Sequence, residues 1–119
     1  MAYTYSFEKL EVWQDCRIMV VKVYQVTKKF PDDEKYGLSM QLRRAVISVS
    51  SNIAEGTARN TSKDRSHFYN LAYSSLMEIL SQIIVSFNLN YISETELQNL
   101  RLDLEKISNK LNALRKTLN

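Results

Sequence analysis

A chain of 119 residues with 45% hydrophobic and 24% charged residues can bury one core and is too balanced for wholesale disorder. Two glycines and one proline leave too little turn material for a sandwich or barrel, and one cysteine, Cys16, excludes an intrachain disulfide framework and a zinc site of several thiolates. The net charge of +3 is uneven: residues 35–60 carry Lys35, Arg43, Arg44 and Arg59 against Glu55 alone, an excess that permits nucleic-acid contact without requiring it.

Helical periodicity predicts four helices. The first is expected from about Phe7 to Lys29, with Leu10, Trp13, Cys16, Val20, Val23, Tyr24 and Thr27 on one side and Ser6 as N-cap. Phe30-Pro31-Asp32-Asp33 ends it, because the residue before a proline is driven out of the helical region. The second is expected from Asp33 or Glu34 to Thr57, with an apolar stripe of Leu38, Leu42, Ala45, Val46, Val49 and Ile53. Gly56 lies near its end, where a left-handed residue is cheapest as glycine.

Thr61-Ser62-Lys63-Asp64 has the form of a capping box with Asp in place of Glu, and it opens a third helix reaching Asn88. That helix should bury Phe68, Leu71, Ala72, Ser75, Leu76, Ile79, Ile83 and Phe87. Ser93-Glu94-Thr95-Glu96 is a full capping box and opens the fourth. There Leu97, Leu100, Leu104, Ile107, Leu111, Leu114 and Leu118 step by three and four, an a/d seam suited to packing near +20°. The expected fold is all-α: an antiparallel up-down-up-down four-helix bundle, one domain over residues 1–119. Two helical hairpins completed by a partner chain share the same core logic.

The start, Met1-Ala2-Tyr3-Thr4-Tyr5-Ser6, has neither a basic region nor an apolar core, so no secretory signal is evident. The longest aliphatic runs, Ile18 to Val21 and Ile83 to Val85, are far too short to span a bilayer. The expectation is a cytoplasmic protein with no membrane partner.

Residues 41–59 keep the helical period but spend much of it on Ser, Asn and Gly, which are poor helix formers. Gln41, Arg44, Ser48, Ser51, Glu55 and Arg59 form a polar stripe beside the apolar one, with Asn52 at its edge. Two readings stand. In the structural one the serines allow close helix packing, Asn52 is pinned by hydrogen bonds and Glu55 pairs with an arginine. In the functional one Arg43, Arg44 and Arg59 hold an anion.

The run Gln41-Leu42-Arg43-Arg44 through Ser51-Asn52-Ile53-Ala54-Glu55-Gly56, followed by Arg59, resembles the signature of the four-helix-bundle proteins encoded by 23S rRNA intervening sequences. That family includes the accessory variability proteins of diversity-generating retroelements. Leu10 to Gln14, Phe30-Pro31 with Glu34 and Tyr36-Gly37-Leu38, and Ala72 through Ser75-Leu76 to Glu78 also look like its pattern, so the likeness covers nearly the whole chain. Ser50 stands where the family usually has proline, and Ser74 near a usual glycine; both are local helix-packing positions. The resemblance implies an antiparallel bundle assembled as a homo-oligomeric ring, commonly a pentamer. For the accessory variability members it implies nucleic-acid binding alongside a reverse transcriptase.

The residues do not suggest an enzyme. His67 is the sole histidine and sits among charges, as a solvated helix-start residue does. Cys16 lies on an apolar face, the place of an inert buried thiol. Glu55 and Glu78 invite comparison with bundle metal sites, yet the Glu-x-x-His pairs of di-iron bundles are missing, and Gly37 and Gly56 cannot form a phosphate loop. No catalytic residue, metal or cofactor is assigned.

Two functions follow as expectations. In the first, Arg43, Arg44, Arg59, Lys63 and Arg65 form a basic zone for RNA or DNA around the connection of helices 2 and 3, with Tyr69 and Tyr73 as candidate stacking surfaces that are more simply packing residues. In the second, the protein is an interaction scaffold recruiting an enzyme such as a reverse transcriptase. There Ser48, Ser51, Asn52, Glu55, Gly56 and Glu78 serve packing and assembly, and the arginines make intersubunit ion pairs.

Overall fold

The computed structural model describes residues 2–118, in which four α-helices and two short 3-10 turns account for the regular structure. The helices are α1 (Glu11–Thr27), α2 (Leu38–Thr57), α3 (Ser62–Asn88) and α4 (Glu94–Lys116). They form the expected up-down-up-down bundle: each packs on its neighbours in the order α1–α2–α3–α4–α1, and α2 and α3 share the most extensive interface. Side-chain pairing fixes the antiparallel register. Across α2 and α3, Ser48 meets Ser75 and Gln41 meets Gln82. Across α1 and α4, Asp15 meets Lys110, Lys22 meets Asp103 and Lys29 meets Glu96.

α4 follows its sequence pattern closely. Leu97, Leu100, Leu104, Ile107 and Leu111 are buried, and Leu114 and Leu118 are half-buried. Its N-terminus is a complete capping box: the Ser93 hydroxyl accepts from the Glu96 N–H at 3.1 Å, and the Glu96 carboxylate accepts from the Ser93 N–H at 2.9 Å. Only half of the expected box forms at α3, where Thr61 Oγ1 accepts from the Asp64 N–H at 3.1 Å.

α1 departs from the expectation in two ways. It is not continuous from Phe7; a 3-10 turn (Ser6–Lys9) ends at Leu10, whose backbone is extended, and α1 starts at Glu11. Ser6 is not the cap; the turn is closed by Glu8, whose carboxylate accepts from the Tyr5 N–H at 2.7 Å. The buried stripe is also rotated: Val12, Cys16, Met19, Val23 and Thr27 point inward, while Trp13, Val20 and Tyr24 sit at the edge of the core. Trp13 packs edge-on against Phe7, at 4.9 Å between ring centroids, which holds the N-terminal turn against α1. Burial, aided by the charge of Asp15, pushes the Cys16 thiol up to about 12, so it is inert at neutral pH.

α2 begins at Leu38 rather than at Asp33 or Glu34, which lie in the second 3-10 turn (Asp32–Glu34). Glu34 joins two parts of the bundle: its carboxylate accepts from the Leu38 N–H at 3.2 Å and from the Tyr91 hydroxyl at 2.9 Å. The bond to Glu34 raises the Tyr91 hydroxyl above the usual tyrosine range. Tyr91 also packs on Phe30, so the turn after α1 and the link before α4 seal the same end. That link bends through Asn90, whose φ of 65° is the left-handed value favoured by Gly and Asn just past a helix end.

Gly56 does not have the role its position suggests. No glycine among the described residues has positive φ, and Gly56 is helical and buried. A Cβ there would lie 2.7 Å from Cε1 of Tyr69 and 3.0 Å from Cβ of Phe68. Glycine is present because α3 comes too close for any side chain. Leu71, expected in the core, is 41% exposed; Tyr69 is buried in its stead.

Candidate nucleic-acid interface

The serine-rich half of α2 faces α3 across a short gap. Ser48 Oγ lies 2.9 Å from Ser75 Oγ, and the Asn52 amide donates to the Ser48 carbonyl at 2.9 Å and to its hydroxyl at 3.0 Å. These bonds satisfy the polar groups that close packing half-buries. At the α3-facing end of Gly56, Tyr69 turns its hydroxyl to Thr57 Oγ1 at 2.8 Å. Tyr69 is therefore no stacking surface, and Tyr73 carries the Arg115 guanidinium on its ring at 4.7 Å.

Part of the polar stripe opens to solvent. Gln41, Arg44 and Ser48 of α2 and Ser75, Glu78 and Gln82 of α3 line a polar cleft of about 280 Å³. Gln82 Oε1 points into protein without a hydrogen-bond partner. Ser51 and Glu55 are exposed further along α2. Glu55 makes no ion pair among the described residues, so the arginine pairing of the structural reading does not form within the chain. The register sets Glu78 opposite Ala45, ten residues from Glu55 along α2, or about 15 Å at 1.5 Å per residue. No group of three or more potential metal ligands occurs among the described residues.

The predicted cations fall into two groups. Arg43 and Arg44 lie in the first half of α2, and Arg59, Lys63 and Arg65 at the α2–α3 connection, fifteen residues or roughly 22 Å from Arg44 to Arg59. In the second group, Arg65 Nε donates to the Arg59 carbonyl at 2.8 Å, and the Arg59 guanidinium lies on Phe68 at 4.5 Å. Lys63 is exposed, as is His67, which meets Phe68 edge-on. In the first group, Arg43 is half-buried against α1. It donates from Nε to Thr27 Oγ1 at 2.8 Å and from a terminal nitrogen to the Tyr24 carbonyl at 3.3 Å, with its guanidinium 4.5 Å from the Tyr24 ring centroid. These acceptors are neutral, so its charge is uncompensated.

Arg44 is exposed and forms no ion pair among the described residues. It stands on a ridge between the polar cleft and a larger groove of about 740 Å³, formed by the end of α1, the turn after it and the first half of α2. Lys28 and Lys35 also line this groove, together with Tyr36. The sequence pattern does not single out Lys28, Lys35 or Tyr36 as site residues. The available signal was the Phe30-Pro31 break, which folds the chain so that the residues on either side of it approach one another.

The α1–α4 interface pairs lysines with carboxylates. All five ion pairs among the described residues join α1 or the turn that follows it to α4, with Asp15 shared by Lys110 at 2.7 Å and Lys106 at 3.6 Å. Hydrogen bonds from Lys110 to Asp15 and Glu11 raise that ammonium above the usual lysine range, and the bond from Lys29 pulls Glu96 below the usual glutamate range.

No helix among the described residues is long and apolar enough to cross a membrane. A protein-family model described as 23S rRNA-intervening sequence protein matches residues 8–113. Among solved structures, a protein of unknown function from the S23 ribosomal protein family of Bacteroides thetaiotaomicron VPI-5482 superposes with a TM-score of 0.81 at 20% identity, covering 88% of this chain and 95% of that one. At that identity the likeness speaks for the fold. No curated protein matches the chain.

Proposed function

The chain belongs to the 23S rRNA-intervening sequence protein family, and we propose that it is a non-enzymatic, homo-oligomeric bundle that associates with nucleic acid, structured RNA in particular, through the basic side of α2. The observation that carries this reading is the partition of charge. The α1–α4 face ties its lysines to carboxylates, whereas Arg44, Lys28, Lys35, Arg59 and Lys63 have no carboxylate partner among the described residues. Uncompensated cations at the groove and at the α2–α3 connection make fields that attract phosphate, and repetition of them in an oligomer multiplies the effect. Contacts of this kind release counterions and weaken steeply with salt.

The test is binding of a structured RNA and a duplex DNA across a salt series, with light scattering on the same samples. Binding at low salt that falls with salt, and is weakened in Arg44→Ala without loss of the oligomer, is the expected result. No binding by the wild-type protein at low salt ends the proposal. One observation favours a scaffold as the second reading: Arg43, a predicted phosphate ligand, is committed to Thr27 and Tyr24 of α1. If Arg44→Ala dissolves the oligomer, the arginines serve packing and the scaffold reading gains.

A further inference from the structure

The groove between the end of α1 and the first half of α2 combines three properties. Its size, about 740 Å³, is within the range of small-molecule sites. Its floor is partly apolar and open: Met40 and Ile47 of α2 line it and are 37% and 42% exposed. Its charge is one-sided, with Lys28, Lys35, Arg43 and Arg44 against Asp32. None of the four cations has a carboxylate within ion-pair distance among the described residues. Tyr36 also lines the groove and is 77% exposed, with the Lys35 ammonium 5.5 Å from its ring centroid.

A ligand matched to these walls has a flat, partly apolar body and carries negative charge. A lipid or fatty acid lacks the flat face that an exposed tyrosine offers, and a base-paired helix presents its phosphates but hides its base faces. An unpaired nucleotide has both parts: any base can stack on an aromatic ring, and its phosphates suit arginine and lysine. We infer that this groove holds an unpaired nucleotide of an RNA or DNA strand, with the base against Tyr36 and the Met40–Ile47 floor and the phosphates on Arg44, Lys28 and Lys35. The assignment rests on the nucleic-acid reading above and sharpens it from general phosphate contact to recognition of a single-stranded element.

The experiment uses the full chain in its native oligomeric state and four probes at one low salt concentration: AMP, a labelled oligoadenylate, an RNA duplex of equal length, and poly-glutamate as competitor. The strand is expected to bind about tenfold or more tighter than the duplex. Tyr36→Ala should weaken strand binding by about tenfold, the scale of one lost stacking contact, and Tyr36→Phe should restore it. Ile47→Glu, which puts a carboxylate on the exposed floor, should reduce strand binding at least as much. Circular dichroism confirms folding of each variant, and both positions are exposed enough to tolerate the change.

Equal binding of strand and duplex, unchanged by Tyr36→Ala, overturns the groove assignment and leaves general phosphate binding standing. Displacement of the strand by poly-glutamate at equal charge concentration also overturns it, in favour of an acidic peptide. AMP binding as tight as the strand's, and lost in Tyr36→Ala, supports the nucleotide chemistry and assigns it to free nucleotides. Absence of all binding by the wild-type protein overturns both this inference and the reading beneath it.

Discussion

The α1–α4 and α2–α3 interfaces join antiparallel helices in the same bundle by opposite means. Between α1 and α4, large aliphatic side chains fill the interior and long charged ones lace the outside, from Glu11 and Asp15 with Lys110 to Lys29 with Glu96. Between α2 and α3, small residues bring the backbones together: Ala45, Ser48, Gly56, Ala72 and Ser75. A helix joined by long side chains accepts variation in any one of them, because exposed ion pairs contribute little each. A helix joined by close approach accepts almost none, because added atoms have nowhere to go. The close interface sets α2 tight against α3, while its flank toward the end of α1 lines the groove.

Three changes test this contrast, in descending order of effect. Leu111→Ala removes a fully buried side chain from the α4 seam and should destabilise by about 2–5 kcal/mol in denaturant unfolding. A loss below that range means that the seam collapses around the cavity and that α4 packs less tightly than its leucines suggest. Gly56→Ala sets two rules against each other. Helix propensity favours alanine by about 1 kcal/mol, whereas the clash with the buried Tyr69 ring costs about 1–3 kcal/mol. The expected net is destabilisation of about 0–2 kcal/mol, and a gain in stability would show that α2 and α3 separate easily.

Asp15→Asn is the smallest, at about 1 kcal/mol or less, and shrinks further in high salt. A loss as large as that of Gly56→Ala would erase the proposed distinction. The same seam has a pH signature. Lys110 is raised, so its contribution is complete below the usual lysine range and disappears as pH climbs through its raised value. Glu96 is lowered, so its contribution is present above the usual glutamate range and disappears as pH falls through its lowered value. Unfolding midpoints of wild type and Lys29→Met should therefore converge in acid, below the lowered Glu96 value. A gap that persists there would show that Lys29 acts by something other than its pairing with the Glu96 carboxylate.

The parts of this fold legible in the sequence are those where one residue type repeats at one spacing. The leucines of α4 and the Ser93 capping box left no competing choice. The buried stripe of α1 is rotated from the expected one, because the large rings of Trp13 and Tyr24 suggest the core yet occupy its rim, while Val12 and Met19 face inward. The position of Gly56 suggests a terminator because helix-end chemistry is local, whereas the Tyr69 ring that demands glycine comes from another helix. At the candidate site the stripe Gln41, Arg44 and Ser48 was visible as a periodicity. Lys28, Lys35 and Tyr36 were not, since they belong to no common period and meet only through the turn at Pro31.

The lysine–carboxylate pairs of α1 and α4 join positions 67 to 99 residues apart in the chain, whereas the α2–α3 hairpin is built from neighbours across a short loop. Closing so long a span costs chain entropy before any contact repays it, so the hairpin is the natural early structure and the closure of the two ends a late one. The α1–α4 side is accordingly the latch of the bundle: contacts made after the folding barrier set how fast the molecule opens and have little effect on how fast it forms.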